Sequence, residues 1–132
     1  MGQYHIPVNL DKKQTVNPHK LATGLKLWEQ LANNPGTGAA LVVLLASASN
    51  GDGGGDLQTG NPVIGSWRGD RIAFVGDYDD NSRYEVDGAT MTGAEIYEAA
   101  WLDVSDAVCS VIEREVGGKF TGDGWRDFTR NE

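Results

Sequence analysis

The chain has a single cysteine, Cys109, so no internal disulfide can form, and that usage fits a reducing cytosol. Histidine is almost as scarce. His5 and His19 are the only two, and neither His-x-His nor His-x-x-x-His spacing occurs, which argues against a zinc site. Long apolar runs are missing as well: the longest, Ala39 to Ala46, has eight residues, far short of the roughly 20 that span a bilayer. The opening MGQYHIPVNL has no basic stretch leading into an apolar core and does not read as a secretory leader. Gly2 follows Met1 as in a myristoylation start, but Ile6 stands where that signal has Ser or Thr. Basic residues are few: eleven Lys and Arg against nineteen Asp and Glu give a formal charge of −8. Such a surface repels phosphates, so nucleic acid is not an expected partner. The acids are divided among loops and helices rather than gathered on one face, which disfavours mimicry of DNA. These absences together predict a cytoplasmic protein with neither a nucleic-acid nor a membrane partner.

What is present suits one folded domain over residues 1–132, with 39% apolar residues and four Trp. Pro62 to Asp80, PVIGSWRGDRIAFVGDYDD, is the stretch where β-branched and aromatic residues, alternation and turn chemistry coincide. It predicts a hairpin over 62–78, with Val63, Ile64 and Trp67 on one arm and a turn through Arg68, Gly69 and Asp70. On the second arm Ile72, Phe74 and Tyr78 share one face, and Ala73, Val75 and Asp77 the other. Residues 4–10 read as a short edge strand, because Pro7 lacks a donor. Asn17-Pro18 offers a helix start, and Leu21, Leu25, Trp28 and Ala32 recur at helical spacing. The alternative for that region is a loop through Gly24 and a strand GLKLW. From Thr37, the run to 49 predicts a helix apolar nearly all round, capped by Thr37.

Asp87-Gly88 marks a second, smaller hairpin. Thr92-x-x-Glu95 is a capping box opening a helical region over 93–116, in which Ser105 caps a second segment and Gly117-Gly118 closes it. The aromatics Phe120, Trp125 and Phe128 then stand in a polar tail, placed to pack back or to meet a partner. The fold class expected is α+β: a small antiparallel sheet centred on the 62–78 hairpin and packed by the helices at 37–49 and 93–116.

The segments VNLDKKQTVNPHKL, GLKLWE, GGGDL and GSWRGDRIAFVGDYDD together resemble a group of short proteins from bacteria and their phages. The likeness covers about residues 8–80. It implies a single-domain member of a small family and carries no activity, so it names no site.

Complete catalytic patterns do not occur. Gly55 is followed by Asp56-Leu57 where a P-loop needs Lys and Ser or Thr, and Asp56 also breaks the dinucleotide fingerprint. Asp77 to Asn81 begins like a calcium loop, but Ser82 stands where Gly is needed and Gly88 where Glu is needed, which excludes an EF-hand. A looser Mg²⁺ or Ca²⁺ site, with Asp52 or Asp56 meeting Asp77 and Asp79, stays open beside the plainer reading of Asp as a turn former. Arg68-Gly69-Asp70 likewise suits a tight turn better than integrin binding. His19 and Lys20, near a helix start, are candidates for holding an anion.

The leading expectation is a non-enzymatic binding protein for a protein partner or small ligand, in a phage-type role of binding a host factor or sequestering a signal. Its binding residues would be His19, Lys20, Trp67, Arg68, Asp70 and Trp125, since Trp, Tyr and Arg are common interface anchors. The alternative is a divalent-metal-dependent hydrolase with Asp52, Asp56, Asp77 and Asp79 around Mg²⁺ or Mn²⁺. A homo-oligomer with Trp125 and Phe128 buried between chains is the third option.

Overall fold

A computed structural model describes residues 3–32, 35–47, 57, 61–121 and 124–127. In chain order its elements are β1 (His5–Asn9), β2 (Gln14–Thr15), a 3₁₀ turn (Pro18–Leu21), α1 (Glu29–Ala32), α2 (Gly36–Leu45), β3 (Ile72–Gly76) and β4 (Arg83–Val86). There follow β5 (Ala89–Thr92), α3 (Gly93–Glu98), β6 (Leu102–Asp103), α4 (Ser105–Val116), β7 (Gly118–Thr121) and β8 (Gly124–Asp127). The class is α+β, as the composition and patterning predict, with small sheets whose strand pairs are antiparallel except β2–β6, which is parallel. A four-stranded sheet runs in the order β3-β1-β2-β6, and β4–β5 and β7–β8 are separate two-stranded ribbons.

The sheet is not built on a 62–78 hairpin. Residues 62–69 pass through successive turns, closed by Ile64 N–H to Asn61 O, Ser66 N–H to Val63 O and Arg68 N–H to Gly65 O at 3.0–3.1 Å. Those local bonds use the donors that a ladder would need. Two more donors go to the end of α2: Gly65 N–H reaches Val43 O at 2.8 Å and Trp67 N–H reaches Leu44 O at 2.9 Å. Gly65 has φ +72°, and a Cβ there would lie 2.4 Å from Ala46 O, so only glycine lets the segment lie this close to the helix. With its supposed partner arm used otherwise, β3 pairs antiparallel with β1, Pro7 facing Phe74 and Val8 facing Ala73. The expected alternation within β3 holds: Val75 is buried, and Ile72 and Phe74 are part-exposed.

β1 is therefore an interior strand rather than an edge strand. Leu10 N–H to Arg71 O and Asp77 N–H to Tyr4 O put the even-numbered residues of β1 in bonding register with β3. Pro7 thus directs its missing donor toward β2, where pairing ends, while its carbonyl accepts Val16 N–H at 3.4 Å. Residues 18–32 form neither one helix nor a strand. Ala22 takes a left-handed conformation (φ 62°) after the 3₁₀ turn, and Leu25 O accepts His5 N–H at 2.7 Å instead of serving a helical bond. Only four residues, α1, resume as helix.

Elsewhere local chemistry sets the outcome. Asp87 (φ 51°) and Gly88 (φ 80°) form the two-residue turn of the β4–β5 hairpin. The capping box is complete, with Glu95 N–H to Thr92 Oγ1 at 3.1 Å and Thr92 N–H to Glu95 Oε1 at 2.8 Å. Gly117 ends α4 at φ 81°. Two expected caps differ. Pro35 rather than Thr37 precedes α2, and the cap position of α4 is Val104, because Ser105 Oγ accepts Asn17 N–H at 2.7 Å and donates to Asp103. The apolar residues form two clusters. One joins Leu44 and Val43 of α2 with Val108, Val111 and Ile112 of α4 and with Trp67. The other joins Val8 and Val75 of the sheet with Val86 and with Ile96 of α3.

Candidate functional site

Most of the residues expected to bind are engaged in holding the fold. Trp67 is fully buried, and its indole N–H donates to Gln14 Oε1 at 2.8 Å. The Arg68 guanidinium donates to Ser47 O at 3.2 Å and Ala46 O at 3.4 Å, covering carbonyls at the end of α2. Asp70 pairs with Lys12 and accepts from Asn9 Nδ2 at 2.8 Å. The His19 N–H already has Asn17 Oδ1 at 3.0 Å, in a 3₁₀ turn of only four residues. Lys20 lies 3.0 Å from Asp103 and 3.7 Å from Asp106. Trp125 meets Phe120 edge to face, ring centroids 4.7 Å apart, and both rings pack on the α2–α4 core. Phe128 lies outside the described residues. So these six side chains do not come together as one site.

The expected metal ligands fare similarly. Asp77 Oδ1 accepts Tyr4 N–H at 2.9 Å, and Asp79 Oδ1 accepts Ser82 N–H at 2.9 Å and Asn81 N–H at 3.2 Å, which folds the 79–82 loop. Asp52 and Asp56 lie outside the described residues. Among the described residues no three His, Cys, Asp or Glu side chains are grouped to hold a metal. Burial pushes the Cys109 thiol up to about 12, so it sits as a half-buried protonated side chain at neutral pH.

The carboxylates set the acid limb of stability. Asp11 is held below the usual carboxylate range by the Arg71 backbone N–H and guanidinium, Asp70 by Lys12 and Asn9, and Asp79 by the Ser82 N–H. Burial alone would raise Asp103, but hydrogen bonds from Ser105 and Lys20 outweigh it and lower it. A carboxylate whose pKa is lower folded than unfolded stabilises fully above the unfolded value and loses that contribution as pH falls through the folded one. The urea midpoint is expected to stay level from pH 7 to 5 and to drop once pH passes below about 4. Asp103→Asn should flatten part of that drop. An unchanged midpoint at pH 3 would contradict these assignments. Lys20 is raised by Asp103, so its contribution persists up to about pH 10 and is lost only as pH climbs through the raised value.

A different part of the surface has the shape of a site. The 27–31 segment faces the N-terminal half of α2 across a cleft of about 170 Å³. Its walls are Leu27, Trp28, Leu31, Leu41 and Phe74. Trp28 is 78% exposed and Leu31 70%, so two large apolar side chains stand open to solvent at its border. Contiguous exposed apolar surface on a small protein marks an interaction or ligand site. Two buried residues, Gln30 (2% exposed) and Thr37 (0%), stand behind this lining. Gln30 is drawn inward because its Nε2 donates to His5 O at 2.7 Å and to Leu25 O at 3.2 Å, which ties this wall to β1. Gln30 Oε1 and Thr37 Oγ1 have no hydrogen-bond partner and are sealed from solvent, so neither opens onto the cleft. Gly38 keeps the α2 wall recessed: a Cβ there would stand 3.4 Å from Leu31 Cδ2.

None of these cleft residues was among the six side chains expected to bind. The available signal was the all-apolar sequence of α2, since a helix apolar on every face must leave part of itself uncovered in a small fold. No protein-family model, no curated protein and no solved structure matches the chain.

Proposed function

We propose that this is a small non-enzymatic binding protein that captures an apolar group in the cleft between residues 27–31, α2 and Phe74. One observation carries the reading. Trp28 and Leu31 are exposed beside a recess whose other walls are the apolar side chains of Leu27, Leu41 and Phe74. Large apolar side chains are costly to keep exposed in a free protein. An apolar ligand that covers them offsets that cost. The net charge of −8 weighs against nucleic acid as the partner, and the single, protonated Cys109 is consistent with a reducing cytosol. Sequestering a small signalling molecule would suit the bacterial and phage group that the segments resemble.

Toluene is a suitable probe, being one ring with no polar group. Added to the ¹⁵N-labelled full chain, it should shift amides in residues 27–31, 37–41 and around Phe74. Gly38→Leu should fill the recess and abolish those shifts while leaving the rest of the spectrum in place, since a helical site accepts Leu readily. Shifts confined to other residues, or persisting in Gly38→Leu, would refute the assignment.

A further inference from the structure

We infer that a second copy of this chain pairs antiparallel on the open edge of β3, joining two four-stranded sheets into one continuous sheet. The inference does not rest on the cleft. In the order β3-β1-β2-β6, β3 has a neighbour on one side only. Leu10 N–H to Arg71 O and Asp77 N–H to Tyr4 O put the odd-numbered residues of β3 in bonding register with β1. The N–H and C=O groups of Ile72 and Phe74 therefore point away from β1. Among the described residues no hydrogen bond reaches those outward groups, and each of the two residues is 37% exposed. Local turns close the window at both ends, with Asp70 N–H bonded to Trp67 O at 3.1 Å and Asp79 N–H to Gly76 O at 3.2 Å. Nothing on the strand blunts this edge. Natural sheet edges are protected by charge, proline or a bulge. β3 reads Ile-Ala-Phe-Val-Gly, whereas β4, β6, β7 and β8 each hold a charged residue and β5 carries Thr90 and Thr92.

The window is its own complement, and that selects the occupant. A two-fold axis at Ala73 sets Ile72 opposite Phe74 of the second copy, and Phe74 opposite Ile72 of the second copy. Each outward N–H then meets an outward C=O, and neither residue keeps an unpaired group. Ile72 and Phe74 share one face of the sheet. Their cross-strand pairs across the axis are of the β-branched and aromatic kind that stabilises a sheet. Arg71 falls opposite Val75, and Asp70 opposite Gly76, so like charges do not oppose one another in spite of the net charge of −8. So short a window buries less than the roughly 800 Å² per partner of a standard interface, so the dimer is reversible and depends on concentration.

The test is amide hydrogen exchange of the ¹⁵N-labelled full chain at about 20 µM and about 1 mM, with sedimentation velocity on the same samples. At the higher concentration the sedimenting mass should double, and the Ile72 and Phe74 amides should slow about tenfold or more. The Ala73 and Val75 amides, already bonded to β1, should stay slow at both concentrations. Ile72→Lys puts a cation on the edge at a residue that is already part-exposed. That variant should stay folded, sediment as a monomer at the higher concentration and leave the Phe74 amide fast. A parent chain that stays monomeric at the higher concentration overturns the inference. So does a dimer whose new protection falls outside β3, or one that Ile72→Lys leaves as tight as before. If the two amides of a monomeric parent slow only when a hexapeptide of alternating Thr and Val is added, the edge belongs to a foreign strand and the self-pairing is likewise overturned.

Discussion

Trp67→Ala is expected to lower the stability by about 3–5 kcal/mol, the range for losing a fully buried large aromatic. Trp67 heads the largest fully buried side chains. It packs among Leu44, Val108 and Ile112, where α2 and α4 meet. Its removal leaves a hole between α2 and α4, and the turns of 62–69 fasten α2 in place through Val43 O and Leu44 O, so collapse around it is limited. Gln14 Oε1 loses its donor as well. At this chain length the loss corresponds to a fall in melting temperature on the order of 10 °C or more. Urea unfolding followed by far-ultraviolet circular dichroism measures it. Trp67→Phe, which keeps most of the volume but not the indole N–H, should cost distinctly less. A change below about 1 kcal/mol for the Ala variant would mean that Trp67 is not the packing centre assigned to it.

That role shows why some of the chain was legible and some was not. Thr92 with Glu95, Asp87 with Gly88, and Gly117 each carry a signal completed within a few residues, and each takes the predicted form. The α+β class follows from the same local evidence. Val63, Ile64 and Trp67 are good strand formers, and nothing nearby in sequence reveals that Val43 O and Leu44 O take the donors of Gly65 and Trp67. The partner of β3 lies in β1, chosen by long-range packing of Val8 and Val75 in one cluster. The helical spacing of Leu21, Leu25 and Trp28 was overridden by the left-handed Ala22 and by the bond from His5 to Leu25 O.

The cleft was hidden for a related reason. Trp67, Arg68 and Asp70 have the chemistry of interface residues, but tertiary contacts turn Trp67 into core, Arg68 into a cover for the end of α2, and Asp70 into a brace for the Asn9 turn. The cleft draws on three separate segments, and the 27–31 wall is held in place because Gln30 bonds to β1. No spacing rule within one segment reports such a place.

Gln30→Glu is the sharpest probe of that tie to β1 and is expected to cost about 3–5 kcal/mol at pH 7, the scale of an uncompensated buried charge. The new carboxylate keeps the shape of the amide but replaces its two donors with an acceptor, set against His5 O and Leu25 O. Leu25 O retains the His5 N–H at 2.7 Å, whereas His5 O is left facing negative charge. Burial and these carbonyls both disfavour the ionised form, so the carboxyl pKa in the folded variant must lie above the unfolded value of about 4.3. The sign follows. A raised carboxyl pKa brings no penalty below the unfolded value, and the penalty grows as pH rises from there to the folded pKa. Stability of the variant should therefore increase as pH falls from 7 toward 5, where the protonated carboxyl can again donate to His5 O. The parent should stay level over the same interval, because its lowered carboxylates titrate only below about pH 4. Urea midpoints of the two proteins at pH 7, 6 and 5 test this directly. Hydrogen exchange should also speed first in residues 25–32, the wall that Gln30 ties to β1, and toluene binding should weaken with it. A variant as stable as its parent at pH 7, or one with no recovery toward pH 5, would show that Gln30 is not held as a buried donor to His5 O, and the tie assigned between the 27–31 wall and β1 would be wrong.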